Sequence, residues 1–283
     1  MCIANHTIKK LIRFESNNLS LTSNYGNHHK NLIIIKLYSM KNSICLFVTS
    51  TLLLTTIANA QWSSNQQIKG NGKITSEKRT TVSYDEIMIS GFFDVDLVDG
   101  KEGAITIKGE GNLLPFIKVQ VENNVLKIYA DKNKYISTSM GKNIIVTVPF
   151  ENINQVSLSG SGDLKTRKTI KSKSFIAKLV GSGDLTLDVE ANNFEINLSG
   201  SGDVVLKGKA DNYKSTLNGS GDIDASNLKA NNAIVIISGS GDSKVFCSES
   251  LHARVSGSGD IEYAGNPKQK DTKVNGSGEI SKS

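Results

Sequence analysis

The chain repeats the stretch Gly160-Ser161-Gly162-Asp163 six more times. The later copies begin at residues 181, 200, 219, 239, 257 and 276, and the last copy ends in Glu279. Successive copies are therefore 18 to 21 residues apart. A repeat of that length is typical of a solenoid, in which every coil returns to the same place one layer further along.

The residues that flank the repeat predict strands. The position two before the first glycine is apolar in all seven copies, and the position four after it is apolar in six, with Ser243 as the exception. Apolar residues between the copies alternate with a period of two, as in Phe194-Ile196-Leu198, which is strand periodicity. The sequence therefore predicts an all-β fold, a single-stranded parallel β-helix with coils of about 19 residues.

A second corner is predicted about halfway round each coil. Ala-Asn-Asn or Ala-Asp-Asn precedes the next strand at 191–193, 210–212 and 230–232, and small or turn-forming residues suit a bend. Residues 81–150 lack an exact copy of the repeat, and their strands are expected to be longer or irregular. They either begin the solenoid or cap its first coil, whereas residues 151–283 form the regular coils.

The period of two also orients the polar residues of the repeat. If the chain stays extended, both glycines share a face with the buried apolar residues, and the serine and aspartate point outward. The glycines then mark either a pinched corner or a positive φ. The outward residues form the predicted binding face: Ser161, Asp163, Ser182, Asp184, Ser201, Asp203, Ser220, Asp222, Ser240, Asp242, Ser258 and Asp260.

A row of carboxylates needs a stabilising partner. Acids at the interstrand spacing of about 4.8 Å repel one another by roughly 0.9 kcal/mol in water. The row can be solvated, can accept backbone N–H groups within each turn, or can hold cations. Calcium-binding β-rolls carry a similar turn with a period of about nine residues, whereas here the midpoint carries Ala-Asn-Asn. Structural turns are therefore predicted, with no metal site and no cofactor.

The first 60 residues are expected to be absent from the mature protein. Residues 40–60 have the pattern of a secretory signal peptide: a lysine, an apolar run and the small-x-small end Ala58-Asn59-Ala60. Residues 1–39 are interpreted as a non-native upstream extension or a leader, and 61–80 as a polar lead-in to the domain at 81–283. The protein is therefore expected in the periplasm, on the outer-membrane surface or outside the cell.

Export changes the interpretation of charge. The whole chain has a formal net charge of +6, but residues 1–60 hold six basic residues and one acidic residue, so the mature chain is close to neutral. A nucleic-acid partner is therefore not indicated. Only Cys247 remains after maturation, and it is interpreted as an apolar core filler.

Catalytic patterns are weak. Every coil carries the same acid at the same place, whereas a glycosidase needs a unique pair of carboxylates in unequal environments. His252 is expected to be exposed or packed, and Gly70-Asn71-Gly72-Lys73 lacks the earlier glycine of a phosphate-binding loop. Phe92 and Phe93 are assigned to the core rather than to sugar stacking. No catalytic residue is predicted.

Four segments followed by the repeats are similar to a known family. The segments Ile89-Ser90-Gly91-Phe92-Phe93-Asp94-Val95-Asp96-Leu97, Ile105-Thr106-Ile107-Lys108-Gly109, Asn112-Leu113-Leu114 and Val125-Leu126-Lys127-Ile128 resemble the head GIN domain family, often labelled auto-transporter adhesins. The resemblance spans about residues 80–283. It implies an exported β-helical protein of bacterial cell envelopes, and it supplies no established active site.

These observations predict an exported cell-envelope binding or structural protein. Its Ser, Asp and Asn rows are expected to face a glycan or another envelope polymer, as in an adhesin. A calcium-binding scaffold is the first alternative, and a polysaccharide-active β-helix enzyme is the weaker one. The ends of the solenoid are a further candidate surface, for self-association.

Overall fold

The computed structural model describes residues 67–132 and 134–283. The predicted leader and signal peptide, and the start of the lead-in, lie outside these residues. The described residues belong to one compact unit. Among the described residues, no helix is long and apolar enough to cross a membrane, and one short 3-10 helix lies at Leu114–Phe116.

Strands make up most of the described chain. In chain order they are β1 (Gln67–Lys69), β2 (Ile74–Thr80), β3 (Glu86–Gly91), β4 (Asp94–Asp99), β5 (Ala104–Glu110), β6 (Ile117–Glu122), β7 (Val125–Ala130), β8 (Tyr135–Ser137), β9 (Ile145–Phe150), β10 (Gln155–Gly160), β11 (Leu164–Thr166), β12 (Ile170–Gly181), β13 (Leu185–Gly200), β14 (Val204–Gly219), β15 (Ile223–Gly239), β16 (Ser243–Gly257), β17 (Ile261–Ala264), β18 (Gln269–Gly276) and β19 (Ile280–Lys282).

The regular repeats form a parallel β-solenoid. β13 pairs in parallel with β12 and β14, and β15 and β16 continue the stack. Each of β13 to β16 runs from one Gly-Ser-Gly-Asp corner to the next and bends at the second corner without interruption. Because Gly200 and Gly219 are register partners, the corners stack on one another. The predicted all-β solenoid is confirmed, and it makes about seven turns.

Coils of unequal length are accommodated by bulges. The register of β14 and β15 shifts between Val205 and Lys207. There, the carboxylate of Asp224 accepts hydrogen bonds from the N–H and the hydroxyl of Ser226, at 3.0 and 2.6 Å. β15 and β16 shift after Ala225 and again at the second corner. The bulges absorb the difference in length, so the glycine corners stay in register.

The core is a column of apolar side chains inside the coils. Leu198 and Leu217 are each 1% exposed and are register partners. Burial of such a side chain contributes roughly 1.5–3 kcal/mol. The rings of Phe175, Phe194 and Tyr213 stack in successive coils, with centroids 5.6 and 5.7 Å apart. The column therefore stabilises each coil on its neighbour.

Residues before the regular coils extend the solenoid and then close its end. β3 and β4 pair in parallel with β10 and β11, so residues 86–99 form a coil. On the other side of that coil lie β7 and β9. β2, β5 and β6 join this layer as antiparallel strands. These antiparallel strands form a cap, which covers a sheet edge that would otherwise be free to pair.

Two assignments to the core agree with the structure. Phe93 is fully buried, and Phe92 packs against it edge-on, with ring centroids 6.1 Å apart. Cys247 is buried among the inward residues. Burial raises the pKa of its thiol, so the group is held in the neutral form that suits a core position.

Candidate binding surface at the solenoid corners

Both glycines of the repeat are required by the first corner. At Gly200, φ is +136°, and a Cβ would lie 2.0 Å from the carbonyl oxygen of Gly181. Gly202 has no positive φ, but a Cβ there would lie 1.9 Å from the carbonyl oxygen of Gly183. The corner therefore combines the positive φ and the close approach that the sequence left as alternatives.

The aspartates form a hydrogen-bonded ladder between coils. The carboxylate of Asp203 accepts the backbone N–H of Asp222 at 3.1 Å, and that of Asp222 accepts the N–H of Asp242 at 2.8 Å. The expectation that each aspartate accepts an N–H of its own turn is wrong, because backbone N–H groups in a parallel stack point toward the neighbouring coil. The other steps join Asp184 to Asp203, Asp242 to Asp260, and Asp260 to Glu279.

The ladder begins one coil earlier than the sequence indicated. Asp94 accepts the N–H of Asp163 at 3.2 Å, and Gly91 is the register partner of Gly160. Residues 91–94 are therefore a divergent copy of the repeat, in which Phe93 fills the core at the place of the second glycine. The spacing Gly-x-x-Asp followed by an apolar residue was the available signal.

The predicted binding face lies on the surface. All six of its serines and five of its aspartates are exposed, and Asp163 is half-buried, 3.6 Å from Lys165. Within residues 67–132 and 134–283, no group of three or more His, Cys, Asp or Glu side chains is arranged to hold a metal ion. A binding role for this face stays a prediction.

The second corner carries two rows of hydrogen-bonded side chains, here called the Asn ridge. In the first row, Asp211 accepts hydrogen bonds from the side-chain amides of Asn192 and Asn231, at 2.7 and 3.2 Å. In the second row, each amide donates to the amide oxygen one coil back at 3.0 Å, and the members are Asn193, Asn212 and Asn232. These contacts hold the polar groups of the ridge in place before any ligand binds.

A groove runs along each side of the Asn ridge. The first, here called the alanine groove, has a volume of about 400 Å³, and its lining includes Ala191, Ala210 and the charged side chains Glu190, Lys209 and Lys229. The second, here called the aromatic groove, has a volume of about 300 Å³ and follows the stacked rings, with Glu195 and Lys214 on its rim. Both volumes fall within the range of about 300–1,000 Å³ that is common for ligand sites.

Outward charges near the grooves are mostly paired between coils. Lys207 lies 3.1 Å from Asp188, and Lys214 lies 3.3 Å from Glu195. The amide of Asn197 donates to Glu195 as well. The hydrogen bond from Asn197, together with Lys214, holds the pKa of Glu195 below its usual range. The carboxylate is therefore ionised at neutral pH.

His252 is part of a surface ion cluster. Its Nδ1 lies 3.1 Å from the carboxylate of Asp271, which also accepts a hydrogen bond from Arg254 at 2.5 Å. The hydrogen bond from Arg254 lowers the pKa of Asp271, and His252 adds to the effect. A carboxylate held ionised in this way is poorly suited to act as a general acid at neutral pH.

The glycine-rich stretch of the lead-in packs against a buried carboxylate of the same chain, that of Glu110. Glu110 is fully buried, and its carboxylate accepts the N–H of Gly72 at 2.5 Å and both the N–H and the hydroxyl of Ser139 at 2.8 and 2.6 Å. A Cβ at Gly70 would lie 1.9 Å from this carboxylate. The hydrogen bonds from Ser139 hold the pKa of Glu110 below its usual range. Residues 70–73 therefore fasten the lead-in to the cap.

One sequence family and several solved structures are similar to the chain. The family described as "Putative auto-transporter adhesin, head GIN domain" matches residues 83–267. This range contains β5 and β6 of the cap and most of the regular coils. No curated protein is detectably similar.

The solved structures come from Bacteroides and Parabacteroides species. A putative adhesin from Bacteroides fragilis is 27% identical, with a TM-score of 0.69 over 76% of this chain and 100% of that one. A putative lipid binding protein from Parabacteroides distasonis is 24% identical, with a TM-score of 0.65 over 77% and 100%. A putative adhesin from the same species is 22% identical, with a TM-score of 0.63 over 77% and 100%. The last two show a shared fold alone.

Proposed function

The chain belongs to the head GIN domain family of putative auto-transporter adhesins, and we propose that it is an exported cell-envelope protein that binds a glycan or another envelope polymer. Its outward polar rows, the predicted Ser and Asp face and the Asn ridge, supply the contacts. The family and the similar structures are described as adhesins or as a lipid binding protein, which supports a binding role over a catalytic one.

The observation that carries the proposal is the repetition of fixed polar groups in successive coils. The Asp ladder and the Asn ridge repeat at the interstrand spacing of about 4.8 Å. A polymer with repeating hydroxyl groups can contact several coils at once, and linked weak contacts raise the overall affinity. Side chains that already hydrogen-bond one another lose little freedom when a ligand arrives.

The alternatives have less support from the site. A polysaccharide-cleaving enzyme needs two carboxylates in unequal environments, whereas the aspartates of the ladder share one environment. A calcium site needs several oxygens directed at one ion, whereas one oxygen of most ladder aspartates, such as Asp203, accepts an N–H group. The charged rim at Glu195 and Lys214 is poorly suited to a lipid chain.

Export is part of the proposal. Cleavage after Ala60 would produce a mature protein that begins at Gln61, in the periplasm, on the outer-membrane surface or outside the cell. N-terminal sequencing of the protein from fractionated cells tests this step. We expect Gln61 in an envelope or medium fraction, and an intact 1–60 segment on cytoplasmic protein would contradict export.

A binding screen tests the role itself. Residues 61–283 contain the compact unit and can be presented to a glycan array and to whole bacterial cells. We expect binding to at least one glycan class or to an envelope fraction. Folded protein that binds neither would contradict the proposal.

A further inference from the structure

The alanine groove is built from rows that the strand register fixes. Ala191 and Ala210 are register partners, and so are Lys209 and Lys229. The alanine row and the row of Lys209 and Lys229, here called the charged wall, therefore run parallel to the Asn ridge along the solenoid axis. Four coils contribute to the lining, which gives a length of about 14 Å at the interstrand spacing.

The lysines of the charged wall lie opposite each other in adjacent coils, whereas most other outward charges near the grooves lie opposite a residue of the opposite charge. Lys209 and Lys229 are like charges in adjacent strands, an arrangement that is destabilising. Lys209 lies 3.6 Å from Glu190, beyond a normal hydrogen bond, and its side chain is 68% exposed. Lys229 is held over the ring of Phe246, 4.0 Å from the centroid. The wall thus presents ammonium donors with unused capacity.

The lining of the groove also includes an acceptor, Asp211. Each oxygen of Asp211 takes one amide hydrogen, from Asn192 or from Asn231. A carboxylate oxygen can accept more than one hydrogen bond, so Asp211 keeps acceptor capacity while its position is fixed. Donors and acceptors therefore line the same groove, together with the half-buried methyl group of Ala191.

Sugar rings match this arrangement. Each hydroxyl of a vicinal diol donates one hydrogen bond and accepts others, and the C–H face of the ring is apolar. The formal charges of Glu190, Lys209, Asp211 and Lys229 cancel, and the Asp ladder at the first corner would repel a polyanion. We infer that the alanine groove binds a short segment of a neutral polysaccharide, an inference that rests on the proposed function and gives it a location and a ligand class.

Binding of matched oligosaccharides tests the inference. Residues 61–283 would be titrated with neutral cello-, xylo- and manno-oligosaccharides and with oligogalacturonate of equal length, at low and high salt. The groove variant is Lys209→Gln with Lys229→Gln, and the control is Lys207→Gln with Lys244→Gln, which removes the same charge at residues that do not line the groove. Thermal melting confirms that both variants are folded.

We expect a neutral oligosaccharide to bind with an affinity that salt hardly changes, because no ligand charge is screened. The groove variant should bind about tenfold more weakly, and the control should stay within about twofold of the parent. Binding only to oligogalacturonate, lost at high salt and equally in both variants, would overturn the inference. If the groove variant bound cells as well as the parent protein does, the inference would also be overturned, but the proposed function would stand.

Discussion

The backbone N–H of Asp222 donates to the carboxylate of Asp203, one coil earlier, at 3.1 Å. The N–H of Asp242 makes the same contact with Asp222 at 2.8 Å. The repeated aspartate therefore satisfies the backbone of the next coil at a corner where the strands are interrupted. The acidic row is stabilised because most of its carboxylates accept a backbone N–H of the next coil, whereas Asp163 lies 3.6 Å from Lys165.

Replacing one aspartate separates its acceptor role from its charge. Asp203→Asn should leave the free energy of unfolding nearly unchanged, because the amide oxygen still accepts the N–H of Asp222. Asp203→Ala should lose about 0.5–1.5 kcal/mol, the usual contribution of such a hydrogen bond. Chemical denaturation of both variants measures the difference, and Ser201→Ala serves as a control with no expected change.

The same ladder predicts that calcium does not change the melting temperature. Melting of residues 61–283 should be equal in chelator and in millimolar calcium, since a ligand stabilises only the state that binds it. A large upshift with calcium, abolished by Asp203→Asn together with Asp222→Asn, would show that the ladder is a metal site.

Steric contact at the corner can be separated from the cost of a positive φ. Gly202 has no positive φ, and a Cβ there would meet a backbone carbonyl, whereas Gly141 has a φ of +72° with nothing within 4 Å of its Cβ position. Gly141→Ala should therefore cost only about 1–2 kcal/mol. Gly202→Ala should cost clearly more, because two coils must move apart. Equal denaturation midpoints would mean that the coils are not packed as closely as described.

The solenoid could be predicted from sequence because the residues that determine each coil lie close together in the chain and recur in every coil. The apolar positions around Leu198 and the glycines of each corner recur in every coil, so one period fixes the facing of all of them. The sequence left open whether residues 86–99 form a coil, because Phe92 and Phe93 replace the central Ser-Gly, although the spacing from Gly91 to Asp94 is kept.

The grooves and the Glu110 contact were not predictable in this way. The alanine groove is formed by side chains of several coils, such as Glu190 and Lys209. Because the coils differ in length, the sequence does not show which of these residues are register partners. Glu110 and Gly70 are 40 residues apart in sequence, and no pattern pairs them. This contact depends on how the cap packs against the lead-in, and no local sequence pattern determines that packing.

The buried carboxylate predicts a pH-dependent attachment of the lead-in. The pKa of Glu110 is lower in the folded protein than its ordinary value, so its stabilising effect is fully present above an unfolded pKa of about 4.3 and is lost as the pH falls through the folded value. Glu110→Gln should lower the melting temperature at pH 7 and speed hydrogen exchange at residues 70–73. The gap in melting temperature should shrink below about pH 4.

A surface carboxylate provides the control for that prediction. Glu77 pairs with Arg79 at the surface of β2, so Glu77→Gln should change melting little at any pH. If Glu110→Gln left the exchange of residues 70–73 unchanged, the carboxylate would not be what fastens the lead-in.

Hydrogen exchange in the presence of a bound glycan shows which coils contact the ligand. The measurement compares residues 61–283 alone and with the best ligand from the binding screen, coil by coil. We predict added protection at the second corner in consecutive coils, at residues 190–193, 209–212 and 229–232. Protection confined to residues 104–150, before the regular coils, or no change at any corner while the ligand is bound, would contradict the claim that the repeated polar rows form the binding surface.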